Sequence, residues 1–275
     1  MIQFPNCKIN LGLNVVDKRP DGFHNLETIL YPVPFHDVLE ILPAQDGLFR
    51  FDVTGLAIPG GHEQNLCVKA FRILQADFGL PPVKMHLHKV IPMGSGLGGG
   101  SSNGAFTLKM VNELFGLCLE RENLKKYARR LGSDCAFFIE NHPVFAYEKG
   151  DRFEPVAMEL SGLFLAIVIP GVHVATADAY RMVVPAIPEQ ALSEVIQLPI
   201  EAWKERLVND FENPVFEKFP VIGGIKTALY HAGAVYASMT GSGSAVFGIF
   251  NDLPDLPVMQ GCFCRVWRLG SVEGQ

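Results

Sequence analysis

The chain has 275 residues, of which 48% are hydrophobic and 19% are charged, a composition typical of a globular protein with a hydrophobic core. Its net charge of −6 and the lack of a basic run argue against electrostatic binding of nucleic acid. The longest apolar run, residues 163–169, is too short to span a bilayer, and the N-terminal residues lack the pattern of a signal peptide. We therefore expect a cytoplasmic protein that does not bind nucleic acid or membranes.

Two strands are predicted in the N-terminal part of the chain. The segment NCKINL, residues 6–11, predicts an apolar strand that exposes alternate polar residues. The simplest interpretation of Lys8 is therefore an ordinary solvated lysine. Residues 83–88 predict a half-buried strand, because apolar and polar residues alternate strictly. His86 and His88 share the polar face of this strand, but the sequence supplies no third ligand nearby, so we predict no metal site there.

The segment IPMGSGLGGGSSNGA, residues 91–105, is the most distinctive part of the sequence. It follows the strand at 83–88 and precedes a helix that the apolar spacing predicts from Ala105 onward. Glycines allow close backbone approach, and the free N–H groups at a helix start favour an anion, so a phosphate site is expected rather than a flexible loop. The candidate N-cap residues of this helix are Ser101, Ser102 and Asn103.

Three common phosphate motifs fit this segment poorly. It contains the spacing G-x-G-x-x-G, but a Rossmann unit needs a second parallel strand ending in an acid, and residues 120–132 predict another helix that ends at Gly132. The Walker A motif is excluded because no Gly-Lys-Ser/Thr closes the loop. The partner motifs of a protein kinase do not occur.

The remaining elements predict a mixed fold. Strands are predicted at 163–169, 243–250 and 262–269, and helices at 186–197 and 200–211. We therefore expect an α+β fold that divides near residue 155 into domains 1–155 and 156–275. The six cysteines show no zinc spacing and are predicted to be reduced thiols, mostly buried.

Five segments together resemble one enzyme family. Read as P-x-G-S/A-G-L-G-G-G-S-S, the glycine segment resembles the phosphate loop of the GHMP small-molecule kinases. The other matching segments, in the family's order, are CKINLGLNVVDKRPDGFHNLETI (7–29), ARRLGSDCAFFI (128–139), PGVHVATADAY (170–180), and the pair NDFENPVF (209–216) and MTGSGSAVFGIF (239–250). Two positions depart from the pattern: Ala136 replaces a proline and so loses its fixed φ, and Cys7 replaces an alanine.

The resemblance implies both a fold and an activity. It implies an N-terminal domain like ribosomal protein S5 domain 2, a ferredoxin-like C-terminal domain, and an active site in the cleft between them. It also implies an ATP-dependent kinase in which Asp134 is the base and Lys8 keeps that acid ionised and polarises the reacting group. The ATP-binding positions it implies are Asn65, Lys89, Pro92, Met93, Gly94, Ser95, Gly96, Leu97, Gly98, Gly99, Gly100, Ser101, Ser102 and Asn103. Mg²⁺ is expected to be held mainly by phosphates and water, with Ser102 and Asn103 as candidates to reach it.

The resemblance also implies an acceptor site. Its residues are Asn10, Phe23, His24, Thr176, Tyr180, Gly241 and Ser242. Phe23 and Tyr180, from the two domains, are expected to stack on a base whose edge His24 contacts, which favours a cytidyl diphosphate substrate. A mevalonate- or homoserine-type kinase and a non-catalytic nucleotide sensor remain as alternatives, and the sequence makes no prediction of the oligomeric state.

Overall fold

The structure is a computed structural model and describes residues 1–270. Its strands are β1 (Ile2–Gln3), β2 (Asn6–Lys18), β3 (His24–His36), β4 (Val38–Pro43), β5 (Arg50–Gly55), β6 (Val83–Lys89), β7 (Val144–Tyr147), β8 (Arg152–Pro155), β9 (Phe164–Pro170), β10 (Tyr236–Met239), β11 (Val246–Phe250) and β12 (Cys262–Arg268). Its helices are α1 (Leu66–Phe78), α2 (Gly99–Leu114), α3 (Arg121–Leu131), α4 (Phe137–Glu140), α5 (Thr176–Met182), α6 (Leu192–Val195), α7 (Glu212–Lys218) and α8 (Pro220–His231). The predicted α+β class is confirmed.

The chain forms two compact units. The first comprises Met1–Cys7, Phe35–Met93 and Gly98–Asn141. It contains a four-stranded sheet of order β1-β4-β6-β5, in which β6 runs antiparallel to β4 and parallel to β5. The alternation in β6 has the predicted effect, since Val83, Met85 and Leu87 are buried. Helices α1 to α4 belong to the same unit, and α1 packs against α2.

The second unit comprises Lys8–Pro34, Gly94–Leu97 and the chain from His142 onward. Most of β2 and β3 lies here, in a sheet of order β2-β3-β7-β8, and a second sheet has the order β10-β11-β9-β12. Successive residues of β9 and β11, the two central strands of that second sheet, are buried on both faces, which explains their uniformly apolar sequences. The two units alternate along the chain, and the division into domains 1–155 and 156–275 stays a prediction.

Two of the predicted helices are wrong. Within 186–197 the α-helix spans only Leu192–Val195, and within 200–211 there is a 3₁₀ turn at Ile200–Ala202 followed by turns. The apolar residues Leu192, Val195, Trp203 and Leu207 are buried, as the helical spacing indicated, but they are delivered by short turns. Pro188 and Pro199, each just before a turn, restrict helix formation there.

The cysteines agree only in part with the prediction. All six are free thiols, as expected, but only Cys7, Cys67 and Cys135 are buried. Cys118 and Cys264 are exposed and Cys262 is half-buried, so the prediction that most are buried is wrong. Among the described residues no helix is both long and apolar enough to cross a membrane.

Candidate active site

Lys8 lies on β2 and is not a solvated side chain. Only 3% of it is exposed, because its amine points to buried acceptors. Lys8 Nζ donates to Asn10 Oδ1 at 2.6 Å and to the Gly96 carbonyl at 2.9 Å. Gly96 belongs to the glycine-rich segment, which contains no lysine of its own. The fold therefore brings a cation to that segment from a strand 88 positions earlier in the chain.

A second glycine cluster, Thr240–Gly243, packs against the glycine-rich segment 91–105, which is the first glycine cluster. Thr240 Oγ1 lies 3.1 Å from Asn10 Oδ1 and 3.3 Å from the Gly96 carbonyl. Next to it, Ala245 N–H donates to the Ser95 carbonyl at 3.0 Å. A Cβ atom at Gly241, whose φ is +57°, would lie 3.3 Å from the Gly96 carbonyl oxygen. The two segments are thus packed backbone to backbone.

Two predicted acceptor-site residues meet beside this cluster. Thr176 Oγ1, at the start of α5, and Ser242 Oγ lie 3.2 Å apart and are hydrogen-bonded to each other. His173 lies just before α5, and a Cβ atom at Gly94 would lie 2.4 Å from its ring. The predicted residues Thr176, Gly241 and Ser242 are therefore brought together, with His173 as a neighbour that the sequence did not single out.

Helix α2 begins at Gly99, and its N-cap is Gly98 in the left-handed conformation with φ +71°. The predicted caps Ser101, Ser102 and Asn103 are instead inside the helix, because glycine adopts this φ without strain. The first N–H groups of any α-helix lack intrahelical acceptors and carry its positive dipole end. The fully buried Ser102 Oγ finds no hydrogen-bond partner among residues 1–270. This helix start therefore offers backbone donors and an unsatisfied hydroxyl to an anion or its counter-ion.

Lys89 and Asn103 form a buried network with Asp37. Lys89 Nζ is paired with Asp37 Oδ2, and Asn103 accepts from Lys89 at 3.2 Å and donates to Asp37 at 2.9 Å. The other oxygen of Asp37 accepts from the N–H groups of Val90 and Ile91 at 2.7 and 2.8 Å. Both polar atoms of the Asn103 side chain take part in this network, and whether the side chain also reaches Mg²⁺ stays a prediction. The network connects the end of β6 to α2, which places the glycine segment between fixed ends.

Asp134 follows α3, which ends at the predicted cap Gly132. It lies half-buried in the 3₁₀ turn Ser133–Cys135. The next residue but one, Ala136, is fully buried with φ −67°. A proline ring would set nearly the same φ, so the departure from the family pattern leaves this loop's backbone as a proline would have it.

The predicted base-binding aromatics Phe23, His24 and Tyr180 lie in the second compact unit, although Phe23 and Tyr180 belong to different predicted domains. The His24 and Tyr180 rings are stacked, with centroids 5.0 Å apart and planes at 24°. Tyr180 also meets Phe211 edge-to-face at 4.9 Å. Phe23 is 58% exposed, and Lys149 Nζ lies 5.3 Å from its ring centroid. The unit therefore presents an exposed ring next in sequence to a supported aromatic stack.

An open pocket of about 190 Å³ lies in the first unit. Its lining is Phe51, Val53, Thr54, Gly55, Leu56, Ala57, Ile58, Gly60, Gly61, His62 and Asn65. Of the predicted ATP residues only Asn65 lines it, and its side chain caps α1 by accepting from Cys67 N–H at 2.9 Å. Leu56 N–H donates to the Lys89 carbonyl at 2.8 Å, so the backbone of that predicted residue borders the pocket.

The other predicted ATP residues follow the loop from β6 to α2. Pro92 and Met93 end the first unit's central segment, and Met93 is partly exposed. Gly94, Ser95, Gly96 and Leu97 group with the second unit, and Gly99 and Gly100 open α2. The Leu97 side chain is fully buried, and its carbonyl accepts from Lys8 N–H at 3.0 Å.

The sequence reasoning missed three residues that organise the site. Asp37, the partner of Lys89, stands in FHDVLE with no signal beyond its charge amid apolar residues. Thr240 and Asn209 lie in the matching segments 239–250 and 209–216, where their residue types give no local signal of a structural role. Asn209 Nδ2 donates to the Met239 and Gly241 carbonyls at 2.8 and 2.9 Å, so it holds the second glycine cluster.

His86 and His88 contact one hydroxyl. His86 Nε2 and His88 Nδ1 lie 2.9 and 3.0 Å from Thr54 Oγ1, which bridges them. Within the described part of the chain no group of three metal-ligating side chains is positioned to hold an ion.

Comparison with known proteins places these features in context. Residues 65–143 match the family described as GHMP kinases N terminal domain, and residues 191–268 match GHMP kinases C terminal. A 4-diphosphocytidyl-2-C-methyl-D-erythritol kinase of Cytophaga hutchinsonii is 51% identical over 256 residues, covering 93% of this chain and 94% of the relative. A crystal structure of 4-(cytidine 5'-diphospho)-2C-methyl-D-erythritol kinase is 31% identical with a TM-score of 0.77, covering 90% of each chain. A homoserine kinase structure from Cytophaga hutchinsonii has a TM-score of 0.68 at 17% identity, covering 96% of this chain and 94% of that one, which shows a shared fold only.

Proposed function

The chain belongs to the GHMP kinase family, and on that premise we propose that it transfers the γ-phosphoryl group of ATP to the 2-hydroxyl of 4-diphosphocytidyl-2-C-methyl-D-erythritol. This reaction is a step of the non-mevalonate route to isoprenoid precursors. The proposal follows the name of relatives about half identical to this chain over nearly its whole length. The structural observation that carries it is the buried Lys8 ammonium on the Gly96 carbonyl, which brings a cation to the lysine-free loop.

The glycine segment and α2 are assigned to the ATP phosphates. The start of α2 presents backbone N–H groups to an anion, and Gly98 and Gly99 carry no side chain that would keep a phosphate away. A Cβ atom at Gly99 would lie 2.8 Å from Ile91 Cγ2, so the residue must be glycine for the loop to pack as it does.

The residues at the start of α2 also fit Mg²⁺. The buried Ser102 hydroxyl, which has no hydrogen-bond partner within residues 1–270, is an oxygen ligand of the kind that this hard cation accepts. The ion would take most of its other ligands from phosphates and water. Bound there, Mg²⁺ would neutralise charge on the phosphates. The Ser102 side chain is thereby assigned to the metal and the backbone of the helix start to the phosphates.

The chemical step is assigned to Asp134 and Lys8. Phosphoryl transfer needs mainly positioning and charge stabilisation, together with a base that accepts the proton of the attacking hydroxyl. Asp134 is that base, held in a short turn between two helices. The Lys8 ammonium stabilises negative charge on the reacting oxygens, and its hydrogen bonds to Asn10 Oδ1 and the Gly96 carbonyl keep it oriented.

Recognition of the acceptor is assigned to the aromatic group. Phe23 offers an exposed face for a cytosine ring, while Tyr180 and His24 form the stack beside which the base edge is read. Thr176 and Ser242 supply hydroxyls for the acceptor's polar groups. The open pocket with Phe51 and Ile58 in its lining is assigned to the adenine ring.

The test is a coupled assay of ADP formation with three acceptors: the cytidyl substrate, mevalonate and homoserine. We expect turnover with the cytidyl substrate alone. Turnover with mevalonate or homoserine at comparable kcat/KM would favour the other members of the family. ATP binding with no turnover on any of the three would indicate a nucleotide sensor.

A further inference from the structure

Thr28, on β3, is buried and has no assigned role beyond matching a sequence pattern. Its hydroxyl donates to the Gly12 carbonyl at 2.6 Å and accepts from Asn10 Nδ2 at 3.0 Å. All three residues belong to the second compact unit, and β2 and β3 are neighbours in one sheet. Thr28 is therefore connected to Lys8 through Asn10, which is hydrogen-bonded to both.

The direction of these hydrogen bonds follows from chemistry. A carbonyl oxygen carries no proton, so the Thr28 hydroxyl must donate its only proton to Gly12. Thr28 Oγ1 can then act only as an acceptor towards Asn10, so the NH₂ group of that amide must face Thr28. Since the amide has one end of each kind, its oxygen faces the other way, towards Lys8.

The opposite end of the amide requires the same orientation. The Lys8 ammonium is a donor only, and it lies 2.6 Å from Asn10 Oδ1. Thr240 Oγ1 accepts from the Asn10 N–H at 3.1 Å, which leaves its proton for Asn10 Oδ1 or the Gly96 carbonyl. A flipped amide would place its NH₂ donors against the ammonium and would leave the Thr240 proton only the Gly96 carbonyl as an acceptor. The network therefore allows one amide orientation.

We infer that Thr28 is a positioning residue for the reaction: by fixing the Asn10 amide it holds the Lys8 ammonium on the reacting group. The inference rests on the catalytic role proposed above for Lys8. Without the Thr28 hydroxyl the buried NH₂ group of Asn10 has lost its acceptor, so the amide is fixed from its oxygen end alone and carries the cost of an unsatisfied buried donor. The 2.6 Å contact between Lys8 and Asn10 would then be held less firmly in the geometry that the reaction needs.

The test compares T28V, which keeps the shape of threonine, with T28S, which keeps the hydroxyl. Hydrogen bonds to charged groups are among the stronger ones, so we expect T28V to lower kcat by about 10- to 100-fold, with the KM for ATP within about threefold of wild type. T28S should retain kcat within about threefold of wild type, because it restores the acceptor.

A double-mutant comparison separates positioning from a general structural role. If Thr28 acts through Asn10, T28V has little further effect on kcat in an N10A background. The inference would be overturned if T28V lowered kcat equally in the wild-type and N10A backgrounds. It would also be overturned if the kcat of T28V stayed within about threefold of wild type, or if T28S failed to retain activity. K8A is measured in parallel: a full loss in K8A with none in T28V refutes only the role of Thr28, whereas retained turnover in K8A overturns both proposals.

Discussion

Replacement of Gly96 by alanine tests how closely the two glycine clusters must pack. The φ of Gly96 is +80°, and a Cβ atom there would lie 2.0 Å from the Thr240 carbonyl oxygen. Ordinary contact begins near 3.4 Å, and no flexible side chain can yield, because the opposing atoms are backbone. G96A must therefore push the clusters apart by roughly 1 Å or more.

The matched control is G116A. Gly116 also has a positive φ, +57°, but no described atom lies within 4 Å of its Cβ position. Alanine in the left-handed conformation costs about 1–2 kcal/mol, and this is the whole expected loss of stability in G116A. G96A carries that cost plus about 1–3 kcal/mol for the overlap. Urea unfolding of the two variants isolates the steric part.

Activity gives the sharper contrast. The Gly96 carbonyl accepts from Lys8, so a 1 Å displacement moves a contact of the proposed catalytic cation. Misplacement by about 1 Å costs on the order of 100-fold in rate, so we expect that loss in kcat for G96A and wild-type kcat for G116A. Equal stability and kcat within about threefold for the two variants would refute the claim that backbone contact positions the loop.

Three further outcomes are expected. D134N keeps the size of the side chain but removes the proton acceptor, so kcat should fall by about 10²- to 10⁴-fold while ATP affinity is kept. Steady-state kinetics and an ATP titration measure the two quantities. A variant that retains more than about a tenth of the wild-type turnover would exclude Asp134 as the base. Y180A should weaken binding of the cytidyl substrate by roughly 10- to 100-fold without changing the affinity for ATP. Y180F keeps the ring and should bind both ligands as the wild type does. An equal loss of affinity for both ligands in Y180A would mean that the ring only supports the core. Burial raises the pKa of the Cys67 thiol from its ordinary value of 9.0 to about 12, so the contribution of this thiol to stability is lost as the pH rises from about 9 towards 12. Chemical unfolding should therefore give a lower free energy of unfolding at pH 10 than at pH 8. A thiol reagent at pH 8 should label the exposed Cys118 long before Cys67, and the reverse order would contradict the buried position of Cys67.

Local patterns determined much of this molecule. The alternation in 83–88, the cap at Gly132 and the apolar strand near 163–169 are properties of short segments, and each appears in the structure. The position of the glycine segment between a strand and a helix was predictable because glycine density and a helix start are both local signals. The helices predicted at 186–197 and 200–211 failed because apolar spacing there reflects burial, which short turns between prolines also provide.

The tertiary structure alone decided which polar groups meet. Lys8 contacts Gly96, Asn10 contacts Thr240 and Lys89 pairs with Asp37, at separations of 88, 230 and 52 positions. No local pattern encodes these pairs, because a buried lysine and a solvated one look alike in a strand until the sheet supplies an acceptor. The physical reason is the cost of burying an unpaired charge or amide, which holds each of these groups to its partner once the chain has brought them together.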